Sequence, residues 1–352
     1  MLLDKMEECG QKRCCGGVKW SAVITVFSAM FSGGSHAVAG AFAVLIVASG
    51  LGEFQILFMV AVSITIVMAI VIRIQDDNFF VMDLRTNVLL FVNGVVLLIG
   101  DACYVYAVVW APLGNVTTII NAAMPFVTSL IACVALKELW RPVDAVCAVV
   151  NIIGIIFITC PTFIFGEGGR ICDADCSVQD TRTGPTSRKL EAVAYALAFI
   201  CAICYSVSPV SVRAIKRQTS VSMIVFYQGV VGMVFDLFLM YLLDKPTWKM
   251  GAQTGALLFG VVLFDLFELW LGFYSLQSEG AATIVLLSNV EVVVAYILSF
   301  FLLHRSVSVL EISGAVLVII STVIVGITTC WSSKTNDEED EESYAFLESN
   351  FP

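Results

Sequence analysis

Five carboxylates, Asp101, Asp236, Asp265, Glu268 and Glu291, fall inside stretches of sequence that are otherwise almost entirely apolar. A charged side chain at the centre of a bilayer costs a few kcal/mol or more, so such acids face a cavity, a partner or water. No Lys or Arg lies at comparable depth in the sequence, so five acids cannot all be held as ion pairs. Some must be protonated, solvated or neutralised by a bound cation. Asp265 and Glu268 are three apart and share a helical face. Glu291 shares a face with Ser288, with Asn289 beside it. His36 continues the spacing Ser28, Ser32, His36, next to Gly33 and Gly34, where another helix can come close. Asn121 follows Thr117 and Thr118 one turn before Pro125, which leaves a carbonyl free. Tyr205, Ser208 and Pro209 form a similar polar step. Glu291, Glu268, Asp265, Asp101, Asn121, Asn289, His36 and Tyr205 are therefore the candidate solute-binding or proton-coupling residues, with Pro125 and Pro209 as candidate helix kinks. For any one Ser, Thr or Asn, plain helix-to-helix hydrogen bonding is the competing reading. For His36 it is a buried, hydrogen-bonded histidine. Asp236 has no polar neighbour in its own stretch and reads as a packing or water-contacting group.

The elements that must position these groups are membrane helices. The chain has 352 residues, of which 59% are hydrophobic and only 14% charged, and its mean hydropathy is +0.92. Soluble domains carry about a quarter charged residues. Disorder, collagen and a small disulfide scaffold are excluded because the apolar residues come in long runs and the 12 cysteines are dispersed. Runs of about 20 apolar residues predict transmembrane helices near 20–43, 54–74, 86–109, 113–136, 142–160, 190–212, 221–243, 253–276, 281–303 and 308–329. Residues 1–18 read as a cytosolic tail rather than a signal peptide, being polar and Cys-rich. With both termini cytosolic, twelve Lys and Arg fall on the inner side against seven outside.

The chain repeats itself. A shift of 168 residues aligns Tyr106 with Tyr274, Asn121 with Asn289 and Lys137 with Arg305, and Asp144 meets Glu311 with a slip of one. Two sets of five spans, 19–160 and 190–330, flank a loop at 161–189. An odd number of spans per repeat inverts the second half relative to the first, the construction that lets a transporter open one central site to either side. The expected fold is an all-α integral membrane protein of ten transmembrane helices in two inverted five-helix repeats.

The stretch Asn115 to Gly166, with Met124-Pro125-Phe126, then Leu136-Lys137-Glu138 and Gly154, resembles the EamA-type module of the drug/metabolite transporter superfamily. The second half departs from it at Val293, where proline would be expected, and at His304-Arg305. Pro161 to Gly166 and Asn289-Val290-Glu291-Val292-Val293 are most similar to the G branch of the solute carrier 35 family. The resemblance implies ten helices, cytosolic termini and a central cavity lined by helices one, three, four, six, eight and nine.

The expected function is secondary transport of a small organic solute by alternating access, with protons as coupling ions through the intramembrane carboxylates. Anionic sugar phosphates and nucleotide sugars would call for Arg or Lys at depth, so a neutral or cationic solute, or a carboxylate carried with protons, fits better. A divalent-cation transporter and a scaffold acting through cytosolic tails are the alternatives. No phosphate loop, metal-spaced His set or Ser/His/Asp set points to an enzyme, a cofactor, a resident metal or nucleic-acid binding. Expected partners are the bilayer, the solute and, through the tail, cytosolic sorting adaptors; a homodimer stays open. The tail 331–352 holds seven acids against Lys334, a net of -6 out of the chain's -10, and reads as solvated and disordered. Tyr344 to Leu347 fits a tyrosine-based sorting signal, which favours plasma membrane or endosomes over Golgi or endoplasmic reticulum. Cys172 and Cys176 lie in the loop, on the side where a disulfide can form.

Overall fold

The structure is a computed structural model that describes residues 20–350 except 77–82, 112, 139–140, 160–184, 216–218, 244–245, 249 and 304–308. The loop bearing Cys172 and Cys176 lies outside the described residues. The helices are α1 (Trp20–Ala48), α2 (Glu53–Ile74), α3 (Leu84–Trp110), α4 (Leu113–Leu136), α5 (Pro142–Thr159), α6 (Pro185–Ile215), α7 (Val221–Leu243), α8 (Ala252–Ser278), α9 (Ala281–Ser288), α10 (Val290–Leu303) and α11 (Val309–Asn350). Nine spans among the described residues are long and apolar enough to cross a membrane, and the shorter Pro142–Ile158 adds a tenth. Leu130, Val134, Phe238 and Phe259 are among the apolar side chains left exposed on the bundle surface, as expected of a surface that faces lipid.

Two departures from the expected spans are informative. The ninth is broken at Asn289 into α9 and α10, two residues before Glu291. The tenth does not stop at the bilayer: α11 runs 42 residues. At 1.5 Å per residue that is about 63 Å, twice the hydrocarbon thickness. The acidic tail, expected to be disordered, is therefore helical in its backbone to Asn350, with Tyr344 and Leu347 on that helix and their side chains outside the description.

Local chemistry sets several ends. Asp83 caps α3, its carboxylate accepting from the Thr86 hydroxyl at 2.8 Å and from the Thr86 and Arg85 amides. The Thr86 hydroxyl above all holds the Asp83 carboxyl below its ordinary range. Lys137, at φ 58°, takes the chain out of α4 through the left-handed region, and the Glu138 amide returns to the Ala132 carbonyl. That turn presents Glu138 sideways, towards the second half.

The helix contacts are those of an inverted repeat. α1 packs on α8 and on both parts of the ninth span, and correspondingly α6 packs on α3 and α4. The second span packs on the seventh and the fifth on the tenth, pairs that exchange of the halves maps onto themselves. The repeat-related acids Asp144 and Glu311 are both fully buried, at the starts of α5 and α11. The Tyr296 hydroxyl donates to Glu311.

Close crossing of α5 and α11 depends on paired glycines. A Cβ on Gly154 would sit 2.8 Å from the Gly314 carbonyl, and one on Gly314 would sit 2.5 Å from the Gly154 carbonyl. Gly154→Val should therefore lower stability by about 1–3 kcal/mol. Gly40, with nothing within 4 Å, should tolerate the same change, and thermal melts in detergent compare the two.

Candidate functional site

His36 stands on α1 between two acids of the other repeat. Its Nδ1 lies 3.6 Å from Glu268 Oε2 on α8 and its Nε2 3.7 Å from Glu291 Oε1 on α10. Both separations exceed hydrogen-bond length, so the link is electrostatic and adjustable rather than locked. The imidazole side chain is 53% exposed, Glu268 28% and Glu291 33%, so the group is reachable from outside the packed core. Asp265 joins it: ligand atoms of His36, Asp265 and Glu268 all fall within 4.8 Å of one another.

Small residues make this proximity possible. A Cβ on Gly33 would overlap the Ser288 carbonyl, so glycine is what lets α1 reach the end of α9. On the α8 side, Ser32 Oγ donates to the Glu268 carbonyl at 2.8 Å, opposite Gly272, whose missing Cβ leaves room for that hydroxyl. Farther along, Phe42 lies on Gly260 and packs edge-on against Phe264.

A second pole lies on α3 and α6. The Tyr205 hydroxyl donates to Asp101 Oδ1 at 2.7 Å, and Gly100 lets the tyrosine ring lie against α3. Asp101 is within electrostatic reach of His36 and Glu268. His36, Asp101, Tyr205, Asp265, Glu268 and Glu291 thus form one polar cluster drawn from both repeats. A surface groove of about 350 Å³ between α5 and α11 is apolar and separate from it.

Other candidates lie elsewhere. Asn289 donates its amide to Asn151 Oδ1 on α5 at 2.8 Å, and Asn151 donates to Ser321 Oγ on α11 at 3.1 Å, a buried chain that fastens the broken span to its neighbours. Asn121 is half-buried on α4, a turn before Pro125. Pro125 and Pro209 lie within unbroken α4 and α6. Near Pro125, Ser206 of α6 donates to the Met124 carbonyl at 3.3 Å. Asp236 is 5% exposed, and its Oδ1 has no hydrogen-bond partner. Asn115, in a glycosylation pattern, is buried and donates to the Tyr195 hydroxyl at 2.7 Å.

Sequence reasoning missed a set of arginine contacts at the end of the bundle that bears Arg141 and Arg213. Arg141 Nε donates to Asp144 Oδ2 at 3.0 Å, and its Nη2 donates to Thr283 and Thr329, each at 3.0 Å. Thr283 in turn donates to Asp144 at 2.9 Å. Arg213 Nε donates to Glu138 Oε1 at 2.8 Å, and its Nη1 to the Leu276 and Gln277 carbonyls. Beside them, burial pushes the Glu279 carboxyl above its usual range, against the pull of Arg141 and Arg213. Only the three-residue spacing of Arg141 and Asp144 was visible beforehand.

Fold and site together define an integral membrane protein of two inverted helical repeats around a polar, acid-rich centre. The family described as the EamA-like transporter family matches residues 192–327. Solute carrier family 35 member G1 of Homo sapiens is 24% identical over 216 residues, 61% of this chain and 56% of that protein, so the match spans little more than half of the relative. A solved crystal structure superposes with a TM-score of 0.66 over 88% of this chain and 97% of its own, at 15% identity, a likeness of fold alone. The second half of the chain is thus similar to the EamA-like transporter family, and 216 of its residues are similar to a protein of the solute carrier 35 family.

The Asn289 chain and the acid cluster make different demands. Asn151→Leu should leave the Asn289 amide buried without its acceptor and cost about 1–3 kcal/mol in a thermal melt. Replacing both asparagines by leucine should recover part of that loss.

Proposed function

We propose that the protein moves a small organic solute across a membrane by alternating access, with protons as the coupled ion. The observation that carries this reading is His36 held between Glu268 and Glu291, a single base shared by two acids at membrane depth. A carboxylate there needs a counter-charge or a proton. One imidazolium can neutralise one acid, so arrival of a cationic solute or of protons redistributes charge within the cluster. Because His36 belongs to the first repeat and both acids to the second, any change in that charge acts directly on how the two halves meet. The Tyr205–Asp101 hydrogen bond adds a polar pair from α3 and α6, suited to orienting a polar solute. A neutral or cationic solute, or a carboxylate carried with protons, matches a cluster without Lys or Arg. Cytosolic termini and a plasma-membrane or endosomal location complete the proposal.

A divalent-cation substrate is the second reading, favoured by the convergence of His36, Asp265 and Glu268 donor atoms. One nitrogen and two carboxylates suit a transition-metal ion better than Mg²⁺, which prefers oxygen ligands and keeps several waters. Flux of Mn²⁺ or Zn²⁺ into reconstituted vesicles separates the two.

An untargeted metabolite uptake screen in vesicles identifies the solute. With it in hand, Glu291→Gln should remove the dependence of uptake on an imposed pH gradient while the protein still folds. Equal gradient dependence in both proteins would overturn proton coupling through this acid. Tyr205→Phe should weaken uptake by about 0.5–1.5 kcal/mol in apparent affinity, the usual net worth of one hydrogen bond.

A further inference from the structure

We propose that Arg213 and Arg141 form a clamp that keeps one end of the bundle shut, and that the transport cycle must release it to open the central site on that side. The proposal rests on alternating access and adds the residues that decide which side is open.

Four contacts of the clamp cross between repeats: Arg213 to Glu138, Arg141 to Thr283 and to Thr329, and Thr283 to Asp144. Glu138, Arg141 and Asp144 come from the first half, and Arg213, Thr283 and Thr329 from the second. Arg141 also reaches Thr329 of α11, and Arg213, Glu138 and the Arg141–Thr283 bond flank the short turn between α8 and α9. Arg213 holds its entry, donating to the carbonyls of Leu276 and Gln277 at 3.3 and 3.0 Å while pairing with Glu138. Glu138 in turn lies over Gly280, its Oε2 3.5 Å from where a Cβ would stand. Arg141 holds the exit through Thr283, the third residue of α9. That turn joins the helix carrying Asp265 and Glu268 to the span carrying Glu291, so the clamp restrains both acid-bearing arms at their common root.

The packing around the ninth span is asymmetric in the matching sense. Its clamp-side part, α9, packs on α4 as well as on α1. Beyond the break at Asn289, α10 packs on α1 and α11. α4 and the ninth span therefore meet at the clamp and part company beyond it, and the half-exposed His36 lies on the side where they part. A charge pair of this kind, half-buried and bonded to backbone carbonyls, is strongly bound while intact, and losing one partner strands the other. It suits a contact that is made in one state and broken in the other.

The test reads access and needs no solute. Ser28, two turns from His36 towards the clamp and 8% exposed, is replaced by Cys as a reporter. Oriented vesicles holding the full chain are treated with a membrane-impermeant maleimide, and labelling of the parent chain's own thiols is subtracted. With the clamp intact, labelling from the clamp side should be slow. Arg213→Gln should speed it by about fivefold or more from that side only, as a two-state balance shifts. The double exchange R213E/E138R should return the rate to within about twofold of the intact chain. If Arg213→Gln does not fold, Glu138→Gln is read in the same way, since it keeps both carbonyl bonds of Arg213. An unchanged rate, or an equal rise from both faces, overturns the clamp. Because labelling is independent of the cargo, loss of the transport reading and loss of the clamp are distinguished.

Discussion

Charge in hydrocarbon has to be neutralised where it stands, and this chain has very little with which to do so. Four acids of the central cluster, Asp101, Asp265, Glu268 and Glu291, share the single imidazole of His36 and the hydroxyl of Tyr205. The group is partly exposed rather than sealed in the packed core. Contrast the ends of the bundle, where Asp144 and Glu311 are fully buried and each has a partner at hydrogen-bond length, Arg141 and Thr283 at Asp144 Oδ2 and Tyr296 at Glu311, although Asp144 Oδ1 has no hydrogen-bond partner. Acids that hold the fold together have partners at hydrogen-bond length. At the centre Asp101 has the Tyr205 hydroxyl at 2.7 Å, while Glu268 and Glu291 are held at a looser 3.6 and 3.7 Å from His36.

Repeat symmetry organises both kinds of contact. Exchange of the halves maps the main helix pairs onto one another. Arg141 and Arg213 tie the two halves together around the α8–α9 turn. Glycines set the distances on which this depends. Gly33, Gly100, Gly154, Gly272 and Gly314 each stand where a methyl group would collide, and they bring polar backbone and side chains within reach across helices. In a membrane, where no hydrophobic drive separates helix from lipid, such close packing is the main attraction between helices.

The apolar runs, the odd number of spans per half and the absence of Lys or Arg at depth were all written in composition and spacing, because a bilayer imposes one length and one polarity on every segment. The positions of the spans follow from this, and so do the five acids. The Asp144 and Glu311 pairing found by sliding the chain on itself corresponds to two buried acids with parallel roles. Spacing along one helix could not say which polar residues meet across helices. Asn289 and Glu291, its neighbour but one, were both candidate site residues, yet the two point to different partners, since residues two apart on a helix do not share a face. That His36 would lie between Glu268 and Glu291, 232 and 255 residues away in sequence by subtraction of the residue numbers, is a fact of packing between repeats. So is the clamp, whose arginines lie at helix ends where sequence alone reads them as topology signals. Local energetics fixed which segments cross the membrane; only the tertiary fold decided which charges share a site, because that depends on distances across the chain that no local term specifies.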